Sequence, residues 1–180
     1  VFIFVGRLVR DKGINELIAA FLKLQSNSKK VKLLLVGPFE NDLDPLNSEA
    51  IEAIQECNSV ITVGFQEDVR PYFAISDALV FPSFREGFPN VVLQAGAMGL
   101  PCIVTNINGS NEIISEGQNG TIIPVKDEAA LFNAMIKVSS DKDYYSVLKS
   151  NARKMITSRY EQQVVWEALL AEYKSLEKNV

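Results

Sequence analysis

Val1-Phe2-Ile3-Phe4-Val5, running directly into Gly6-Arg7-Leu8 and then Lys12-Gly13, is the stretch that decides the fold. Five consecutive apolar residues leave no polar face, which is the pattern of a parallel strand buried on both sides. Ile14, Leu17, Ile18, Phe21 and Leu22 then recur at helical spacing. A second apolar strand over 32–36 follows and ends at Gly37-Pro38.

The same alternation continues outward. A polar loop over 41–45 leads to a helix at about 47–57, then a strand over 60–63 closed by Gly64. A short helix at about 68–75 precedes the strand Ala78–Phe81, which Pro82 stops. A helix from Asn90 runs to near Gly99, and Pro101 opens the strand Cys102–Thr105. A short helix at about 110–116, a strand over 121–123 and a helix at about 128–138 complete the series. The expectation is an α/β fold: a Rossmann-like doubly wound parallel sheet of about six strands with helices on both faces. The tail, about 141–158 and 161–178, predicts a two-helix C-terminal extension of a single domain spanning 1–180.

The 180 residues carry a net charge of −4, 47% apolar and 22% charged side chains, the balance of a globular protein with a sizeable core. No basic stripe interleaved with aromatics is present, which argues against nucleic acid as a partner. The absence of histidine removes the commonest general base and the commonest metal ligand together. Cys57 and Cys102 fit no metal spacing and read as small buried residues. The chain opens at Val1 already in strand pattern, which reads as a segment of a longer protein.

Ligands on such a sheet bind beyond the carboxyl ends of its strands. Four informative segments fall there: 6–13, Gly64-Phe65, 82–90 and 105–112. Within Glu86-Gly87-Phe88-Pro89-Asn90-Val91-Val92-Leu93-Gln94, an acidic loop runs into Asn90, a good helix N-cap, and an apolar run. A helix starting there turns its free N–H groups and the positive end of its dipole toward a ligand, which suits an anion. Glu86, just outside the helix, suits hydroxyls on the same ligand. A sugar phosphate or nucleotide sugar satisfies both.

Arg7 and Lys12 flank the first loop and would neutralise a diphosphate without a metal. The loop is not a P-loop, because Lys12 precedes Gly13 and no Ser or Thr follows; Gly-x-Gly-x-x-Gly is also absent. On one continuous helix Glu86 and Gln94 would lie about 12 Å and about 80° apart, whereas the Gly87-Phe88-Pro89 bend lets both face one pocket. Asp42-Leu43-Asp44 reads as a solvated lead-in to a helix rather than a cation site. Gly109-Ser110-Asn111-Glu112 places a helix cap at Ser110 or Asn111.

Together, Phe4-Val5-Gly6-Arg7-Leu8, Lys12-Gly13, Val63-Gly64-Phe65, Pro82-Ser83, Glu86-Gly87-Phe88-Pro89-Asn90, Gly99-Leu100-Pro101 and Glu112-Ile113-Ile114 resemble the C-terminal domain of glycosyltransferase family 4, a group 1 glycosyltransferase. The resemblance covers about residues 2–175. It implies the GT-B fold, in which this chain is the donor-binding domain and an N-terminal acceptor domain is missing. It also implies a retaining hexosyl transfer from a nucleoside diphosphate sugar, with no cofactor and no essential metal. Family-level leanings are a uridine diphosphate donor and polysaccharide or glycoconjugate synthesis. They extend to a cytoplasmic location, with any peripheral membrane contact at the inner face made by the N-terminal domain.

By the same resemblance, Arg7 and Lys12 hold the donor diphosphate and stabilise the leaving nucleotide. Glu86 lies against the transferred sugar, and Phe88, Pro89, Asn90 and Val91 cradle sugar and phosphate, with Gly6 and Gly87 in the same binding set. The base is expected near 63–65, at Gly64 and Phe65. Gln94 stands where the family usually has a second Glu for the ribose hydroxyls; it keeps an acceptor and loses the charge. The last helix, with Trp166 and Tyr173, resembles the segment that returns toward the N-terminal domain. Three rival readings stay open: a non-catalytic nucleotide-sugar-binding domain, a GT-B-fold epimerase or hydrolase, and an interaction module using the last helix.

Overall fold

The computed structural model describes residues 1–27, 30–40, 42 and 44–177. Asn41 and Leu43 of the acidic loop lie outside the described residues. The strands are β1 Phe2–Val5, β2 Leu33–Val36, β3 Val60–Thr62, β4 Ala78–Phe81, β5 Cys102–Thr105 and β6 Gly120–Ile123. They are parallel and ordered β3-β2-β1-β4-β5-β6. The chain therefore winds outward from β1 to one edge, returns to the middle, and winds out from β4 to the other. Loops after β1 and β4 part at the point where the order reverses, which is where such sheets open a crevice.

The helices are α1 Ile14–Asn27, α2 Ser48–Glu56, α3 Arg70–Ala74, α4 Asn90–Ala97, α5 Ser110–Ile113, α6 Glu128–Ser140, α7 Lys142–Tyr160 and α8 Gln162–Glu177. α1 packs against α2 and α6, and α4 packs against α5 and α7, giving two helical layers. Every residue of β2, β4 and β5 is buried, as the unbroken apolar sequences of β2 and β4 require, and β5 buries the polar Thr105 at its end. α1 turns Ile14, Leu17, Ile18, Phe21 and Leu24 into this core. Each such side chain contributes about 1.5–3 kcal/mol on burial. Phe4 and Phe81 stack at 5.9 Å, joining β1 to β4 where the order reverses.

Side chains of Asn47, Asp127 and Asp141 accept a backbone N–H at the starts of α2, α6 and α7. Each cap is worth about 1 kcal/mol. Two helix starts differ from the sequence expectation. Asn90 is the first residue of α4 rather than its cap, because Pro89 before it holds the extended backbone of the cap position. α5 is capped at Gly109, not at Ser110 or Asn111: the cap needs φ of 76°, which glycine tolerates, and Glu112 Oε1 accepts the Gly109 N–H at 3.1 Å.

Cys57 and Cys102 are both free, and burial pushes the Cys102 thiol up to about 12. The C-terminal extension is uneven. α7 buries Leu148, Ala152 and Ile156, whereas α8 buries nothing and leaves Trp166 and Tyr173 56% and 64% exposed. No helix among the described residues is long and apolar enough to cross a membrane.

Candidate functional site

The loop after β1 is tightly braced. Leu8 N–H donates to Pro38 O at 2.8 Å, and Arg10–Lys12 forms one 3-10 turn that Gly13 ends at φ 71°. A Cβ at Gly13 would stand 2.9 Å from the Pro82 carbonyl carbon, so only glycine lets the β1 and β4 loops approach this closely. Asp44 accepts the Asp11 N–H at 2.6 Å and the Arg10 guanidinium at 2.9 Å. Asp44 is thus a brace for the first loop rather than a solvated lead-in. Its carboxylate sits where two donors from the neighbouring loop converge, a contact no local pattern reveals. Among the described residues, no group of three His, Cys, Asp or Glu could hold a metal ion.

Across the crevice, Lys12 Nζ donates to Glu86 Oε1 at 2.6 Å, with only 14% and 18% of the two side chains exposed. Residues 74 positions apart are brought together by the return from β1 to β4. Ser83, fully buried, sits 2.9 Å from the same Glu86 oxygen. Its carbonyl accepts the buried Thr105 hydroxyl, which ties β5 to the loop. Phe84 N–H donates to Asp11 O at 2.8 Å, a further link between the two loops. The result is a fixed Lys–carboxylate–Ser cluster. Lys12 has three N–H donors, so two are left for a ligand after the bond to Glu86.

Arg7 is held differently. Its Nη1 donates to Glu40 Oε2 at 2.8 Å, with 47% and 30% of the side chains exposed. Gly6, Arg7, Gly37, Glu40, Phe65 and Val69 are among the residues lining a cavity of about 360 Å³. Phe65 is 75% exposed, and Gly64 before it is fixed by accepting the Gly37 N–H at 2.8 Å. Gly6, Arg7, Gly64 and Phe65 therefore share one end of the crevice. A guanidinium, a carboxylate and an open aromatic ring suit a phosphorylated, hydroxyl-bearing aromatic group.

The Gly87-Phe88-Pro89 bend rests on Gly109, where a Cβ would meet Pro89 Cδ at 2.8 Å and Phe88 Cα at 2.9 Å. Pro89 gives no side-chain acceptor to the first turn of α4; its carbonyl accepts the Val92 N–H at 3.0 Å, and the Asn90 and Val91 N–H groups ahead of it face the helix end. Asn90 is exposed and Val91 half-buried. Gln94, also exposed, lines another cavity of about 590 Å³ with Glu67, Asp68, Val69 and Arg70; Glu86 is not among its lining residues. Val69 borders both this cavity and the one beside Arg7. There, Arg70 donates two hydrogen bonds of 2.8 Å to Asp68 and holds its carboxyl down to about 2.

Sequence reasoning gave no role to Ser83 or Glu40. Ser83 stood in the Pro82-Ser83 segment of the resemblance without a role, and for Glu40 the signal was its position a few residues after a strand.

The sequence profile described as "Glycosyl transferases group 1" matches residues 1–155. The capsular polysaccharide biosynthesis glycosyltransferase CapM of Staphylococcus aureus is 32% identical over 175 residues, covering 97% of this chain and 46% of its own length. An Escherichia coli UDP-Gal:alpha-D-GlcNAc-diphosphoundecaprenol alpha-1,3-galactosyltransferase is 34% identical over 101 residues, 56% of this chain and 26% of that protein. Among solved structures, Anabaena HepE in complex with UDP and glucose superimposes with a TM-score of 0.84 at 23% identity, over 97% of this chain and 48% of its own. The chain spans about half the length of CapM and of HepE.

Proposed function

The chain belongs to the group 1 glycosyl transferases, and we propose that it forms the donor-binding half of a retaining, metal-independent enzyme of glycosyltransferase family 4. That enzyme transfers a hexosyl group from a nucleoside diphosphate sugar to an acceptor held by an N-terminal domain. Polysaccharide assembly is the proposed setting, as in the CapM relative. A uridine donor is favoured by the UDP-Gal named for the Escherichia coli relative and the UDP bound by HepE. The protein works in the cytoplasm, and any contact with the membrane's inner face is made by the N-terminal domain.

The observation that carries this reading is the Lys12–Glu86 pair across the crevice. Breaking the bond from sugar to diphosphate develops negative charge on the leaving phosphate. The free N–H donors of Lys12, the Arg7 guanidinium and the start of α4 are all suited to that charge. Groups already aimed at charge that develops only in the transition state lower the barrier without reorganising. Glu86, held by Lys12 and Ser83, has one carboxylate oxygen left for sugar hydroxyls. Phe65 and Gly64 take the base, and Gln94 meets the ribose without the family's usual charge. The exposed apolar side chains of α8, Trp166 and Tyr173 among them, are assigned to a return contact with the N-terminal domain.

Calorimetric titration of the chain with uridine, guanosine and adenosine diphosphates tests the reading, with and without magnesium. Saturable binding of one nucleotide is expected, independent of magnesium and abolished in an Arg7→Ala/Lys12→Ala variant. Binding that survives in that variant, or appears only with magnesium, would overturn it.

A further inference from the structure

The end of α7 reaches the Glu86 loop through contacts that the donor chemistry above leaves unused. The Tyr160 ring lies 5.6 Å from that of Phe88, tilted by 60°, a geometry that aromatic pairs favour. The Tyr160 hydroxyl donates to Glu112 O at 3.0 Å. Arg159 donates from Nη1 to the same carbonyl at 3.0 Å and from Nη2 to Ile113 O at 2.6 Å. Both carbonyls belong to the C-terminal end of α5, where a helix leaves acceptors unpaired and favours a cation.

A four-residue helix does not hold its own direction. α5 is fixed at one end by the Arg159 fork and Tyr160, and at the other by Gly109 pressed against Gly87, Phe88 and Pro89. The bend between Glu86 and Asn90 is therefore held twice by the end of α7: directly through the Phe88 ring, and indirectly through α5 and Gly109.

We propose that Arg159 and Tyr160 are positioning residues for the sugar-facing bend over 87–89, setting the place of Glu86 beside the transferred sugar. The proposal rests on the assignment of the Glu86 loop to the transferred sugar. Lys12 and Arg7 stand on the loop after β1, whereas the contacts of Arg159 and Tyr160 described above go to Phe88 and to the end of α5. Loss of the α7 brace should accordingly weaken recognition of the sugar and spare that of the diphosphate. A residue that only supports the fold would not separate the two.

The test titrates wild type, Tyr160→Ala and Tyr160→Phe with UDP-glucose and with UDP, and reads amide hydrogen exchange at 87–91 and 109–113 without ligand. Tyr160→Ala is expected to speed exchange at 87–89 and to weaken UDP-glucose about tenfold, the scale of one ring contact plus one hydrogen bond, while UDP changes less than about twofold. Tyr160→Phe keeps the ring and should recover most of the UDP-glucose affinity. Arg159→Met, which removes the fork and keeps the stem, should speed exchange at 109–113. Unchanged exchange at 87–89 in Tyr160→Ala, or equal weakening of both ligands, would overturn the proposal. If wild type binds neither ligand the donor assignment fails, and exchange alone then decides whether α7 holds the bend.

Discussion

Two of the cation–carboxylate pairs at the carboxyl ends of this sheet, Lys12–Glu86 and Arg7–Glu40, are built to different standards. Lys12–Glu86 is sheltered, spans the β1 and β4 loops, and shares its carboxylate with buried Ser83. Arg7–Glu40 is as short to within 0.2 Å, 2.8 against 2.6 Å, yet half in water and borders an open cavity. Distance alone would rank them equal. Shelter and shared hydrogen bonding separate a fixed structural charge from one that can exchange its partner, because water screens the exposed pair and entropy opposes holding it.

A double-mutant cycle on unfolding free energy is the largest way to break this contrast. Lys12→Met and Glu86→Gln should show a coupling of about 1.5–3 kcal/mol, as for a sheltered hydrogen bond between charged groups. The Arg7–Glu40 cycle should give no more than about 0.5 kcal/mol. Equal couplings would mean that burial does not distinguish the pairs.

Much of this arrangement was legible in the sequence, for reasons particular to a parallel sheet. Strands such as Leu33–Val36 and Ala78–Phe81 are buried on both faces, so their unbroken apolar runs mark them out. Once strand order is known, the loops carrying Arg7, Lys12 and Glu86 must meet at one edge. What the sequence hid were pairings made by folding. Nothing local joins Lys12 to Glu86, Asp44 to Asp11, or Tyr160 to Phe88. Helix starts were misplaced for a related reason: Asn90 is a better cap by composition than Pro89, and Ser110 than Gly109. The backbone at 87–89 and at 109 is fixed instead by two loops pressed together, which leaves the cap to whichever residue can adopt the required conformation.

Ligand affinity sharpens the contrast at a smaller scale. Arg7→Ala is expected to weaken nucleoside diphosphate binding about tenfold, as loss of a charge-assisted contact to phosphate. Unfolding free energy should change by less than about 0.5 kcal/mol, since the ion pair lost is exposed. The wild-type affinity should also fall with added salt more steeply than that of Arg7→Ala. A large loss of stability in Arg7→Ala would place Arg7 with the structural pair.

The smallest effect is the most discriminating, because its sign is at issue. Glu40 neutralises Arg7 in the unliganded chain, so a diphosphate must share or displace it. Glu40→Gln keeps the side-chain shape and an acceptor but removes the competing charge. Freed of an exposed pairing worth less than about 1 kcal/mol, Arg7 should bind the nucleotide about two- to threefold more tightly in the variant. Isothermal titration resolves a change of that size. Weaker binding in Glu40→Gln would instead show that the carboxylate serves the ligand, by aiming Arg7 or by accepting from a hydroxyl. The exposed pair would then be as fixed a part of the site as Lys12 and Glu86.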